Sequence, residues 1–447
     1  MSNLQDFINK LEINNDLIRV KKKVDPKFEL AAITSKFEGK QAILFESIKN
    51  SEFKVVCNIL GTRNRFAFAL GLTNPDSIPS HINHAIKILT PPKKRNISTD
   101  EYFVKSSKDL DTLPIVTHFE KDAGPYITSS IVYAKNLETD YQNSSTHRLL
   151  KMDEKHLCIR MVEGRHLHKC FTYAKEHGED LKVAISIGSN PIINIAAAYQ
   201  AAYGVDEMIV ANSLLGNKLT LIQNKYSQLF VPIQTEIILE GRILKDRNHR
   251  EWMVEMLKTY DFKRAQPVFE LEKIRFNSNS VFYDILPGYS EHRLLMGLPV
   301  EAKIYENVRN VVASTLKVHL TDGGSNWLNT VIQIKKKLEG EPKNAILAAF
   351  AAHPSLKIAT VVDEDIDPTN PVSVEYALST RFQADKDIIV INNVKGSTLD
   401  PSSDQENLLT TKIGFDATAS LLKSKERFEI AKIPGEDKMD MSQYIKP

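Results

Sequence analysis

A change of rhythm near residue 308 restricts the fold more than any other feature of the chain. From about 111 to 308 the apolar stretches are short and divided by turn residues. Tyr126-Ile127-Thr128 follows Gly124-Pro125, Val183–Ile187 ends at Gly188, and Leu229–Leu244, Val268–Phe276 and Val281–Leu286 are further strand candidates. Such spacing predicts a mostly antiparallel barrel. One helix interrupts it, with Asn190 as its cap, Pro191 in the first turn, and small or apolar residues from Ile192 to Ala202. Beyond 309 strand and helix alternate: Leu316–Leu320, the helix Ala345–Ala352, Ile358–Val362, a helix starting near Pro371, and Ile388–Ile391. That order predicts parallel βαβ units.

Ahead of both regions, Leu4, Phe7, Ile8 and Leu11 mark one face of a helix at 3–12, and Leu17–Val20, Ala42–Phe45 and Lys54–Leu60 read as strands. Pro91-Pro92-Lys93-Lys94-Arg95 reads as a linker, because two prolines forbid helix and the basic triplet seeks water. The whole is an α/β chain of three units: an N-terminal α/β unit at 1–110, a barrel unit at 111–308 and a C-terminal α/β unit at 309–447.

A formal net charge of +2 provides no global field for nucleic acid, and no apolar run approaches the 18 residues of a membrane span. The expected location is the cytoplasm, with neither nucleic acid nor membrane as partner. Cys57, Cys158 and Cys170 are odd in number and lack C-x-x-C spacing, so reduced core thiols are expected. The dinucleotide, P-loop and zincin motifs are all missing from the sequence.

The polar stretch Gln142–His166 stands out chemically. It gathers Arg148, Arg160 and Arg165 with His147, His166 and Asn143. Guanidinium forks match phosphate and carboxylate; a polar hairpin with a satisfied surface would have the same composition. Glu207, in Gly204-Val205-Asp206-Glu207, would add a carboxylate to Asn143 and His166, a ligand set suited to Mn2+ or Mg2+. Their sequence spacing is too wide for a local metal motif.

Asn143-x-x-x-x-Arg148 followed by Arg165-His166 resembles the cofactor segment of the UbiD-type decarboxylases, which use prenylated FMN. Val24-Asp25-Pro26, Phe68-Ala69-Leu70-Gly71, Leu286–His292, Val362–Asp367 and Thr411–Thr418 are similar to strings of the same family, so the resemblance runs over residues 4–420. It implies that the barrel is a split barrel holding the flavin and that the C-terminal unit carries oligomerisation, giving a homo-oligomer. By the same resemblance Thr146, His147, Arg148, Arg160, Met161, Val162, Arg165 and His166 line the cofactor. Lys357 serves its phosphate, and Asn143, His166 and Glu207 hold Mn2+ or Mg2+, with K+ as a further ion. Without the resemblance, Lys357 reads as a strand-edge surface lysine. A flavin prenyltransferase would supply the cofactor.

The resemblance also implies a catalytic network of Arg148 with two acids, for which Glu255 and Glu251 stand nearest. The family's Gly-Pro turn is here Trp252-Met253 and one residue shorter, so the acids are four apart. That spacing equally suits two rungs of an exposed helix face. The expectation is a helical turn from 251 to 255 that keeps Glu255 facing Arg148, with Trp252 either packed outward or walling the pocket. The C-terminal strings look most like the archaeal branch that converts trans-anhydromevalonate 5-phosphate, a phosphorylated carboxylic acid, to isopentenyl phosphate. An aromatic acid such as a prenylated 4-hydroxybenzoate is the alternative substrate, and a flavin-binding homologue without catalysis is the alternative outside enzymes.

Overall fold

Asn3 accepts a hydrogen bond from the Asp6 amide and so starts the helix Leu4–Ile13, whose Leu4, Phe7, Ile8 and Leu11 are buried as expected. The molecule is known from a computed structural model that describes residues 3–444 except 200, 203, 432, 436–438, 442 and 443. Next to this helix, Leu17–Val20 pairs in parallel with Ala42–Phe45, which pairs antiparallel with Lys54–Cys57.

The fourth strand of that sheet is Val281–Tyr283, parallel to Lys54–Cys57. This corrects its expected place in the barrel. All three of its residues are buried, as a strand covered on both faces requires, and uniform burial does not say which sheet will take it.

The linker reading also fails. Lys93–Ser98 is a strand, parallel to Thr220–Gln223 at the edge of a three-stranded sheet. Its lysines stay exposed, and charge on an edge strand is tolerated because it blocks pairing with another chain.

The central sheet has nine strands built around the long antiparallel pair Ile237–Glu251 and Arg264–Phe276. Its hydrogen-bonded path runs from Tyr126–Ile127 to Tyr141–Thr146 and does not close on itself among the described residues. A register shift between Leu244 and Asn248 carries the first long strand on to Glu251, opposite Arg264. The Asn190-capped helix is Pro191–Ala198, shorter than expected, and Glu207 opens the next helix, Glu207–Leu214.

In the C-terminal sheet Asn329–Ile334, Ile358–Asp363 and Leu409–Ala417 are parallel neighbours, with antiparallel strands Thr315–Leu320 and Ile388–Lys395 at the two edges. The helices Glu341–Ala352 and Pro371–Thr380 alternate with these strands. Helix Ser290–Val311 joins this part to the rest, and its buried Glu301 takes a bidentate pair from Arg63 at 2.7 and 2.6 Å. Cys57, Cys158 and Cys170 are free and buried. No helix among the described residues is long and apolar enough to cross a membrane.

Candidate active site

Arg148 stands between the strands Tyr141–Thr146 and Leu149–Lys151, where the sheet brings it against the end of the strand Ile237–Glu251. Glu251 takes its Nε at 3.0 Å and its Nη2 at 2.8 Å, a bidentate clasp. The same Nη2 reaches Asp261 Oδ2 at 3.0 Å, and Nη1 donates to Glu255. The side chains of Glu251 and Asp261 are 0% and 2% exposed, that of Glu255 20%, so Glu255 is the acid left within reach of a ligand.

The backbone that presents these acids is not the expected helical turn. Glu251 ends a strand, Val254 bridges Tyr260, and the Glu255 amide donates to the Thr259 carbonyl at 2.9 Å, with Lys258 at φ +61° closing the turn. The Met253 carbonyl accepts from the Asp261 amide at 2.9 Å and the Glu255 carbonyl from the Lys258 amide at 2.8 Å, while the Val254 amide donates to Asp122 Oδ1 at 3.2 Å, so these groups are spent outside a helical ladder. An even separation along extended chain keeps Glu251 and Glu255 on one side. Trp252 does point outward: its Nε1 donates to the Lys121 carbonyl at 2.7 Å. Met253 fills a buried cluster with Tyr126, Leu150 and Cys158.

Asp261 was not among the residues expected to act here, although Thr259-Tyr260-Asp261 begins four residues after Glu255. It bridges Arg148 and Arg264, the latter at 3.1 Å, with Arg160 Nε at 3.8 Å. Burial alone would raise its pKa, but Arg148, Arg264 and Arg160 outweigh it and hold the carboxyl below the ordinary value. The stretch Leu286–His292, a loop that runs into the helix Ser290–Val311, packs onto the acid turn through Gly288. Gly288 has φ +76°, and a Cβ there would lie 2.9 Å from the Glu255 carbonyl oxygen, so the approach requires glycine. Glu291, in the first turn of the helix Ser290–Val311, is buried and accepts from the amides of Asn58 and Leu60, each at 2.7 Å, and from Tyr283 Oη at 2.9 Å.

The three expected metal ligands come from three elements. Asn143 is fully buried in its strand, while His166 and Glu207 each open a helix. Glu207 Oε2 accepts from the Ser144 amide at 2.9 Å, and its Oε1 lies 3.6 Å from His166 Nδ1. Asn143 Oδ1 is buried and has no hydrogen-bond partner. A carbonyl oxygen in that condition is costly unless a cation or donor meets it, so an oxygen, imidazole and carboxylate set fits Mn2+ or Mg2+.

Of the expected cofactor-lining residues, His147 bonds Ser145 Oγ through Nε2 and the Arg160 carbonyl through Nδ1, both at 2.8 Å. Removal from water holds its pKa down at about 4. Met161 is buried and its amide donates to Gln266 Oε1 at 2.7 Å; Thr146 is half-buried and Val162 exposed. Arg165 lines a cavity of about 130 Å3 shared with Lys303, Trp327, His353 and Lys395. Lys357 is engaged elsewhere: its Nζ pairs with Asp400 at 2.7 Å and with Ser402 Oγ.

Residues 8–86, 92–290 and 293–417 match, in that order, the N-terminal, Rift-related and C-terminal domains of the 3-octaprenyl-4-hydroxybenzoate carboxy-lyases. The chain belongs to the UbiD family. Among UbiD relatives, an anhydromevalonate phosphate decarboxylase of Methanocaldococcus jannaschii is 41% identical over 432 residues, 96% of this chain and all of the relative. The UbiD-class enzyme HmfF of Pelotomaculum thermopropionicum, solved with FMN, superposes with a TM-score of 0.95 at 35% identity, covering 99% of this chain and 100% of that one. An evolved dimeric form of HmfF, solved with prFMN, gives 0.91 at 33% identity with both chains fully covered.

Proposed function

We propose that this UbiD protein removes CO2 from an α,β-unsaturated acid, trans-anhydromevalonate 5-phosphate, to yield isopentenyl phosphate. One observation carries the chemistry. A single guanidinium is fixed by two buried acids, Glu251 and Asp261, while a third acid on it, Glu255, remains partly open. The likeness to the archaeal relative supports the choice of substrate.

Loss of CO2 from an alkenyl acid leaves an electron pair on a vinylic carbon, and prenylated FMN, when bound, supplies the sink for it. This chain's residues would do the rest. Arg148 has five N–H donors, of which Nε, both on Nη2 and one on Nη1 are used by Glu251, Asp261 and Glu255. The remaining Nη1 hydrogen would orient the substrate carboxylate, and Glu255 would return a proton to the carbon that loses CO2. Asn143, His166 and Glu207 would hold Mn2+ or Mg2+, whose positive charge would offset that of the flavin phosphate. The cavity at Arg165, Lys303 and Lys395 has no carboxylate among its lining residues, which suits a phosphate ester.

The test is to express the full chain together with a flavin prenyltransferase, identify the bound cofactor by mass spectrometry, and measure CO2 release. Turnover of the phosphorylated acid at least about ten-fold above its dephosphorylated form supports the reading. Equal turnover of the two, or turnover of a 4-hydroxybenzoate instead, overturns the substrate.

A further inference from the structure

Asn143, Ser145 and His147 are spaced by two along one strand and its end, so their side chains share a face. They are joined in a row. Asn143 Nδ2 lies 2.9 Å from Ser145 Oγ, Ser145 Oγ 2.8 Å from His147 Nε2, and His147 Nδ1 2.8 Å from the Arg160 carbonyl oxygen.

The direction of every bond in the row follows from its last member. A carbonyl oxygen only accepts, so His147 Nδ1 carries the hydrogen. The neutral ring then has a lone pair at Nε2, and the Ser145 hydroxyl must donate to it. Its single proton spent, Ser145 Oγ can only accept from Asn143. The atom of Asn143 that faces Ser145 is therefore the NH2 group, and Oδ1 points the other way, where it is buried without a partner. The reversed amide would set its carbonyl against an oxygen with no proton left to give, and would turn two N–H groups toward the cation.

We propose that Ser145 is a positioning residue for the metal: it relays the polarity of the Arg160 carbonyl, through His147, to the Asn143 amide, so that Oδ1 and not Nδ2 is presented to the divalent ion. This rests on the reading of Asn143, His166 and Glu207 as the metal site. The row does its work through orientation, not through contact with the ion. It therefore matters only while residue 143 is an amide with two unlike ends. A carboxylate there offers oxygen whichever way it is turned.

The experiment is a titration of the full-length protein, with FMN present, by MnCl2, following free Mn2+ by electron paramagnetic resonance. Ser145→Ala is expected to weaken Mn2+ binding about ten- to a hundred-fold, the usual range for a partner that orients a ligand. Ser145→Thr, which keeps the hydroxyl, should stay within about three-fold of wild type. In the Asn143→Asp background, adding Ser145→Ala should change the affinity by less than about three-fold. An equal loss in both backgrounds would make Ser145 a packing residue and overturn the proposal, as would wild-type affinity in Ser145→Ala. Should Ser145→Ala not fold, Ser145→Cys, a poor donor, takes its place in the same cycle. If Asn143→Ala binds Mn2+ like wild type, the metal reading itself falls, and the positioning role with it.

Discussion

Glu251 clasps Arg148 at both Nε and Nη2, at 3.0 and 2.8 Å, with no part of the Glu251 side chain exposed. The two acids four residues apart on this arm therefore have different tasks. Glu251→Gln takes a charge from a buried pair and should lower stability by about 1–3 kcal/mol as well as turnover. Glu255→Gln, at the open side, should abolish turnover with flavin still bound and a melting temperature close to wild type. Paired thermal melts and kcat measurements separate the two.

Asp261 is a third anchor of the guanidinium, and its lowered pKa gives a signed expectation. A carboxyl whose folded pKa lies below its unfolded value adds stability above the unfolded pKa, about 3.9, and loses it as pH falls through the folded one. Asp261→Asn should thus be less stable than wild type at neutral pH, and the difference should shrink below about pH 4. Denaturant melts from pH 3 to pH 7 follow this directly.

Trp252 lies between Glu251 and Glu255 in sequence, yet its indole Nε1 donates to the Lys121 carbonyl and to neither acid. Trp252→Phe should lose about 1 kcal/mol, the worth of one hydrogen bond, with kcat changed less than about two-fold.

Glu291 holds two backbone amides and a phenol in a dry place. Glu291→Gln would set an NH2 group against one of these donors, at a cost of about 1–3 kcal/mol. Because the loop of Gly288 rests on the Glu255 turn, kcat should fall along with stability.

Features set by neighbouring residues were legible in the chain. The helix at Leu4, the end of a strand at Gly188, the Asn190 cap and the helix start at Pro371 each depend on a few adjacent positions. Lys93–Ser98 was not legible as a strand, because an exposed edge strand has no apolar alternation and its partner, Thr220–Gln223, is far away in sequence. Val281–Tyr283 revealed burial but not its sheet. A spacing of four could not decide the shape of 251–255, since it puts two residues on one side of either a helix or a strand; the bridge from Val254 to Tyr260 decides it. Asp261 was passed over because the resemblance implies only two acids for Arg148, and Glu251 and Glu255 had taken both places; its contact with Arg148, 113 residues earlier, leaves no local pattern.

The proton that replaces CO2 is the most direct test of Arg148 and Glu255 as the reacting pair. With cofactor-loaded protein turning over trans-anhydromevalonate 5-phosphate in D2O, the isopentenyl phosphate formed by wild type should contain one deuterium, on the terminal vinylic carbon. Glu255→Gln with its flavin intact should form no product and exchange no vinylic hydrogen of added isopentenyl phosphate. Deuterium entering that carbon at the wild-type rate in Glu255→Gln would contradict the assignment.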